Sequence, residues 1–230
     1  MPLLLLHGWP GSIVEFLDVI EPLSSSFHLV VPSMPGHGFS GPVSEVGWVD
    51  GRMGKAFLEL MARLGYERFG IQGGDTGAFI APEMGRQSPE RVIGIHVNAL
   101  VTIPSGDPAD MAALTERERG RLAHHKAFRE TGMGYAQIQG TRPQTIAYGP
   151  TDSPVAQLAW IVEKFAEWSN PAAALPEDAV SRNRLLTNVM LYWLTRTARS
   201  SASSYYERFR DHRCGCHRVL LESSYARSSS

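Results

Sequence analysis

The segment Gly73-Gly74-Asp75-Thr76-Gly77 carries the pattern in this chain that points most directly to chemistry. It has the G-x-nucleophile-x-G spacing of a nucleophile elbow, with an aspartate where a serine often stands. An apolar stretch precedes it and a helical stretch follows. Glycines two before and two after the aspartate let the backbone bend tightly and approach a sheet. The bend lifts the Asp75 side chain above a strand end, at a helix N-terminus. There the helix dipole keeps a carboxylate ionised and nucleophilic. The plainer alternative is that Asp75 only caps the helix. A second stretch, His7-Gly8-Trp9-Pro10-Gly11-Ser12, also follows an apolar run. Such a loop can turn a backbone N–H toward the elbow as half of an oxyanion hole, with the N–H of Thr76 as the other half. Read alone, it is an ordinary strand-to-helix turn.

The elements that must position these residues are legible in the first hundred positions. Leu3 to Leu6 is a continuous apolar run, as in a parallel strand covered on both faces. Ser12 to Leu23 reads as a helix, with Ser12 and Glu15 as a capping box. Leu29-Val30-Val31 is a second strand, stopped by Pro32 and followed by a breaker-rich loop over 35–42. Trp48 to Leu64 is helical, with Met53, Phe57, Leu60, Met61 and Leu64 on one stripe and Gly65 as its C-cap. Phe69 to Gln72 is a third strand, Ala78 to Arg86 a helix, and Val92 to Val97 a fourth strand. Alternating strands and helices imply an α/β fold with a mostly parallel sheet. From Pro108 to about Tyr206 the pattern is helical, with Met111–Thr131, Ala156–Trp168 and Leu185–Thr197 as its clearest runs. The expected layout is a core over 1–104, a helical cap over 105–207 and an unrelated, poorly ordered tail over 208–230.

The chain has 230 residues, 43% hydrophobic and 20% charged, enough to bury a core. Its net charge of −1 lacks the basic excess of a general nucleic-acid binder. No apolar run reaches the ~20 residues of a membrane-spanning helix, and the short apolar start is no signal peptide. The two cysteines, Cys214 and Cys216, exclude a disulfide framework and fit a reducing, cytoplasmic compartment. Together with His212 and His217 they have ligand chemistry, but their spacing does not match a structural zinc site. His124 and His125 read as a solvated helix face and His37 as structural. Trp160, Trp168 and Trp193 read as cap core.

Several ordered stretches resemble the microsomal-type epoxide hydrolases of the α/β-hydrolase superfamily. They are LLLLHGWPGS (3–12), VPSMPGHGFS (31–40), GIQGGDTGAFIAPEMG (70–85), GYAQIQGTRPQTIAYG (134–149), DSPVAQLAWIVEKFAEW (152–168) and LLTNVMLYWLTRTARSSASSYYE (185–207). The resemblance implies an incomplete α/β-hydrolase fold with a helical cap, no cofactor and no metal. It implies an enzyme that opens a small apolar epoxide to a vicinal diol, with water as co-substrate. Asp75 matches the nucleophile that forms a covalent ester. Trp9 and Thr76 match the oxyanion-hole donors. Tyr135 and Tyr205 match the cap tyrosines that hydrogen-bond the epoxide oxygen, with Tyr206 as the alternative to its neighbour. A phenol placed there can protonate the strongly basic leaving alkoxide.

The resemblance begins at what matches the superfamily's third strand and stops after Glu207. A histidine and its acidic partner, which the family uses to hydrolyse the ester, have no match. His212, His217 and Glu222 lie in the unrelated tail. The expectation is therefore a truncated chain that alkylates once and stalls, with exposed sheet edges and marginal folding. In chain order the strands should lie second, first, third, fourth. The alternatives are a dehalogenase-like hydrolase using the same aspartate, and a non-catalytic fragment that binds apolar ligands.

Overall fold

A computed structural model describes residues 1–99 and 107–211. Its strands are β1 (Pro2–Leu6), β2 (His28–Val30), β3 (Phe69–Gly73) and β4 (Val92–Val97). All pair in parallel, in the order β2-β1-β3-β4. This is the expected order. Alternate residues Leu4 and Leu6 of β1, and Phe69 and Ile71 of β3, enter one core cluster. That cluster is completed by Met53, Phe57 and Met61 of α2 (Asp50–Arg63) and by Ile80 and Met84 of α3 (Thr76–Gln87).

The order has a functional consequence. The chain leaves β1 toward one edge and β3 toward the other, so a crevice opens between their C-terminal ends. Ligands of open α/β sheets bind at such a switch point. The register pairs Leu6 with Gly73, and the Gly74 N–H donates to Leu6 O at 3.0 Å. The loop after β1 and the loop after β3 are thereby held side by side.

The expected helix over 12–23 is two elements. Ile13–Phe16 is a 3-10 turn, and α1 is Leu17–Ser24. Ser12 caps the turn by accepting from the Val14 N–H at 3.2 Å. The capping box does not form. The 3-10 turn, with ~3 residues per turn, sends the Glu15 carboxyl toward the Gly11 and Gly74 backbone instead.

The second half is helical. It comprises α4 (Pro108–Ala113), α5 (Glu116–Thr131), α6 (Gly134–Thr141), α7 (Pro143–Asp152), α8 (Pro154–Trp168), α9 (Pro176–Ala179), α10 (Arg182–Thr195) and α11 (Ala198–Arg210). The run over 111–131 falls across a helix pair. Among the described residues, no helix is long and apolar enough to cross a membrane.

The stretch expected to leave the fold at 208 begins inside α11. Ser201, Ser204, Tyr205 and Arg208 form one buried stripe of that helix. The Arg208 Nε donates to Asp50 Oδ1 at 2.8 Å, tying the cap to α2. Both partners are buried. Residues 212–230, with Cys214, Cys216, His212, His217 and Glu222, lie outside the described residues. Among the described residues β4 is the last strand on its side of the sheet, and its Ile93 and Ile95 are 47% and 41% exposed.

Asp50→Ala strips the carboxylate from a buried guanidinium. The expected loss is about 3–5 kcal/mol, read as a lowered denaturation midpoint. Ile93→Lys, at an exposed position of β4, should raise solubility and leave that midpoint nearly unchanged.

Candidate active site

Asp75 sits between β3 and α3 with φ 47° and ψ −115°. A non-glycine residue holds such a backbone only where its surroundings force it. The forcing is visible in its neighbours. A Cβ on Gly73 would collide with Gly77 O, and a Cβ on Gly77 would collide with Leu6 O. The two glycines that bound the aspartate are what let strand, bend and helix close on one another. Asp75 makes no capping bond to its helix, so the plain capping alternative fails.

Its carboxylate is held from two sides. Asp75 Oδ1 accepts the Trp9 backbone N–H at 3.0 Å and the Thr76 hydroxyl at 3.0 Å. The space for this is created by Gly8, where a Cβ would strike the Asp75 side chain. Thr76 Oγ1 in turn accepts from Arg208 Nη1 at 3.0 Å. A chain of contacts therefore runs Asp50–Arg208–Thr76–Asp75, from α2 through the last cap helix to the elbow.

The loop after β1 is fixed by groups that spacing alone did not single out. His7 accepts from the Met34 N–H at Nε2, 3.0 Å, so its proton resides on Nδ1, which donates to Gly8 O at 3.0 Å. Burial pushes the ring down to about 4, against the Gly8 contact and the Asp75 charge. His37 is held the same way, pushed down to about 3 by burial and by His7, with Nδ1 on Pro35 O. The cap grips the loop through α10. Asn188 Nδ2 donates to Pro10 O at 2.7 Å, Ser12 Oγ donates to Asn188 Oδ1 at 2.6 Å, and the Tyr192 hydroxyl donates to Gly11 O at 2.6 Å.

Two tyrosines pack on the Trp9 ring, near enough to Asp75 to feel its charge. The Trp9 ring stacks on Tyr135 at 5.4 Å and 10°, and meets Tyr205 edge-on at 5.8 Å. The two phenol rings lie 5.9 Å apart. Burial first, then the Asp75 charge, raises the Tyr135 hydroxyl above its ordinary range. Burial, Tyr135 and Asp75 raise Tyr205. Both stay protonated at neutral pH. Tyr206 faces elsewhere, with the Arg210 guanidinium 3.4 Å over its ring. Around them Ile161, Val189, Phe165 and Trp160 form an apolar wall. Trp160 is anchored by donating to Gln139 Oε1 at 2.9 Å. Trp168 packs edge-on against Tyr135 at 5.1 Å.

Of the residues singled out from the sequence, Trp9 and Thr76 thus hydrogen-bond the Asp75 carboxylate, and Tyr135 and Tyr205 feel its charge. Asn188, Tyr192 and Arg208 were missed. A signal for Arg208 existed, since the Ser201-Ser204-Tyr205-Arg208 spacing is helical.

Residues 1–131 match the family model of the α/β hydrolase fold, and the chain belongs to that family. It is 43% identical over 217 residues to a provisionally named epoxide hydrolase of Stigmatella aurantiaca (strain DW4/3-1), covering 90% of this chain and 49% of that protein. It is 35% identical over 232 residues to juvenile hormone epoxide hydrolase of Bombyx mori, covering 91% and 50%. The crystal structure of the silkworm enzyme superposes with a TM-score of 0.81 at 35% identity, over 96% of this chain and 57% of that one. Aspergillus niger epoxide hydrolase gives 0.75 at 34%, over 90% and 54%. The chain spans about half the length of the curated relatives it matches.

Both buried histidines fold neutral and would gain a proton only on unfolding. Their contribution to stability is present above pH ~6.5 and is lost as pH falls toward about 4 for His7 and about 3 for His37. Each adds a slope of up to about 1.4 kcal/mol per pH unit. Chemical denaturation from pH 7 to pH 4 should show this slope, and His37→Asn should reduce it. Gly8→Ala should displace the Asp75 side chain, whereas Gly94→Ala meets open space and should leave the site intact. The two variants can be compared by the rate at which an epoxide modifies the protein.

Proposed function

We propose that this chain opens epoxides through an ester on Asp75, the first half of conversion to a vicinal diol. The observation that carries the reading is the convergence of one anchored carboxylate and two protonated phenols on a single aromatic floor, Trp9. The resemblance of the chain to enzymes named epoxide hydrolases supports it.

In this reading each atom has a role that the geometry supports. Oδ1 is engaged by Trp9 N–H and the Thr76 hydroxyl, so Oδ2 is the attacking oxygen. Its lone pair forms a bond to an epoxide carbon as the carbon–oxygen bond of the ring breaks. Tyr135 and Tyr205 hydrogen-bond the ring oxygen, and one of them gives it a proton as the ring opens. In the ester, Oδ1 becomes the carbonyl oxygen. The Trp9 N–H already lies on it and stabilises the negative charge that develops when water adds. The Thr76 N–H, heading α3, is the second donor of that hole. The apolar wall selects an uncharged, apolar epoxide.

Incubation with styrene oxide, followed by intact-mass measurement, tests the reading. The expected result is one adduct per chain, absent in Asp75→Asn. Tyr135→Phe combined with Tyr205→Phe should slow its formation by about 100-fold or more. Modification that persists in Asp75→Asn, or that is indifferent to both phenols, would remove the assignment. Halide release from a chloroalkane, without reaction toward epoxides, would move it to the dehalogenase class.

A further inference from the structure

We propose that a small cavity between α6, α8 and α11 is a binding site for one water molecule, and that Gln139 and Gln157 act through that water as positioning residues for Tyr135 and Tyr205. The site stands on its own geometry, whereas the positioning role rests on the epoxide reading above. The cavity gives a water centre about 10 Å³ of room. A single water needs about 10–15 Å³ by that measure. Its polar lining consists of two carboxamides, Gln139 of α6 and Gln157 of α8, and the hydroxyl of Ser201 of α11. Trp9 and Trp160 border it as well, and the remaining lining residues are alanines, a proline and an isoleucine. None of these side chains is titratable. A buried ion would have no partner of opposite charge there, so the guest is neutral and small.

The carboxamides carry the argument. Gln139 and Gln157 are 0% and 2% exposed. The Trp160 indole N–H donates to Gln139 Oε1 at 2.9 Å. An indole N–H can only donate, so this bond fixes which end of the Gln139 amide is oxygen and turns Nε2 to the other side. Gln139 Nε2 and Gln157 Oε1 are both buried without a hydrogen-bond partner among the described residues. A donor and an acceptor thus border one space without reaching each other. Leaving both dry is costly. Ser201 Oγ donates to Ala198 O at 3.0 Å, and its lone pairs can still accept. One water serves all three groups. It accepts from Gln139 Nε2 and donates to Gln157 Oε1 and Ser201 Oγ. Three hydrogen bonds are what a buried water ordinarily makes.

The place of the cavity in the fold ties it to the phenols. Gln139 follows Tyr135 by one turn of α6, and Ser201 precedes Tyr205 by one turn of α11. Trp9, whose ring touches both phenols, lines the cavity too. On α8, Gln157 stands one turn before Ile161 of the apolar wall. A water bonded to α6, α8 and α11 at once sets the spacing of these helices next to the two hydroxyls. Small displacements of reacting groups are expensive in rate.

Two measurements on the full chain test this. The first is Overhauser spectroscopy between water and the side-chain amide of Gln139, in the laboratory and rotating frames to separate bound water from proton exchange. The amide is assigned by its absence in Gln139→Leu. Its protons should show a cross-peak to a water that tumbles with the protein. Gln157→Leu, which removes an acceptor and fills space, should weaken that cross-peak severalfold or abolish it. Gln157→Glu, which keeps an oxygen for the water in either protonation state, should retain it. A wild-type amide without the cross-peak, or one unchanged by Gln157→Leu, overturns the water site. The second measurement is the rate of styrene oxide modification. Gln157→Leu should lower it by about 10-fold, and Gln157→Glu should restore most of it. Loss of the cross-peak with an unchanged rate overturns the positioning role and leaves the site. Failure of wild type to react with the epoxide overturns the reading on which the positioning role rests, while the cross-peak still decides the site. Ser201→Ala, which removes the other acceptor, supplies the same two comparisons if Gln157→Leu does not fold.

Discussion

The structure turns on the hydrogen bond from the Trp9 backbone to Asp75 Oδ1, 3.0 Å long and spanning 66 positions of sequence. It joins the loop after β1 to the bend after β3. Neither loop could reach the other unless the two strands were neighbours in register, with Leu6 opposite Gly73. The sheet order thus exists, functionally, to make this contact. The glycines at 8, 73 and 77 are its steric conditions, because a Cβ at any of them would occupy space that the bend or its carboxylate needs.

The cap is more than a roof. α10 holds the loop through Asn188 and Tyr192, and α11 holds the elbow through Arg208 and Thr76. The loop at 36–38 is tied to α11 and its N-cap in the same way, by Ser200 to Gly36 O and by Gly38 N–H to Thr197 Oγ1. A hydroxyl or amide that crosses from cap to core is satisfied only when both halves are docked. Buried polar groups left without partners are costly. The helices α10 and α11 and the elbow therefore depend on one another, and contacts remote from the phenols help to fix the helices that carry them.

The strands, their order and the elbow could be read in the sequence because each is written locally. Apolar runs mark β1 and β3, and the spacing of Gly73, Asp75 and Gly77 marks the bend. Asn188, Tyr192 and Arg208 could not be found that way. Their partners lie 132 to 181 positions distant, and an asparagine or tyrosine in an amphipathic helix looks the same whether it faces water or a backbone carbonyl. Glu15 was legible but misassigned. Ser12 and Glu15 have capping-box spacing, and the competing attraction is tertiary: a 3-10 turn aims the side chain at a gap left by two glycines. Likewise the helical stripe of Tyr205 and Arg208 crosses the boundary expected at 207/208, so composition marked a boundary that packing does not observe.

The central proposal is that Asp75 carries the substrate as an ester, so that any diol released takes its second oxygen from that carboxylate. A single turnover in heavy-oxygen water, with enzyme in excess of styrene oxide, addresses it directly. The peptide containing Asp75 should gain heavy oxygen in its carboxyl group, and the diol from that first turnover should contain none. Heavy oxygen in the diol with an unlabelled Asp75 would mean that water attacks the epoxide itself, and the account would be wrong.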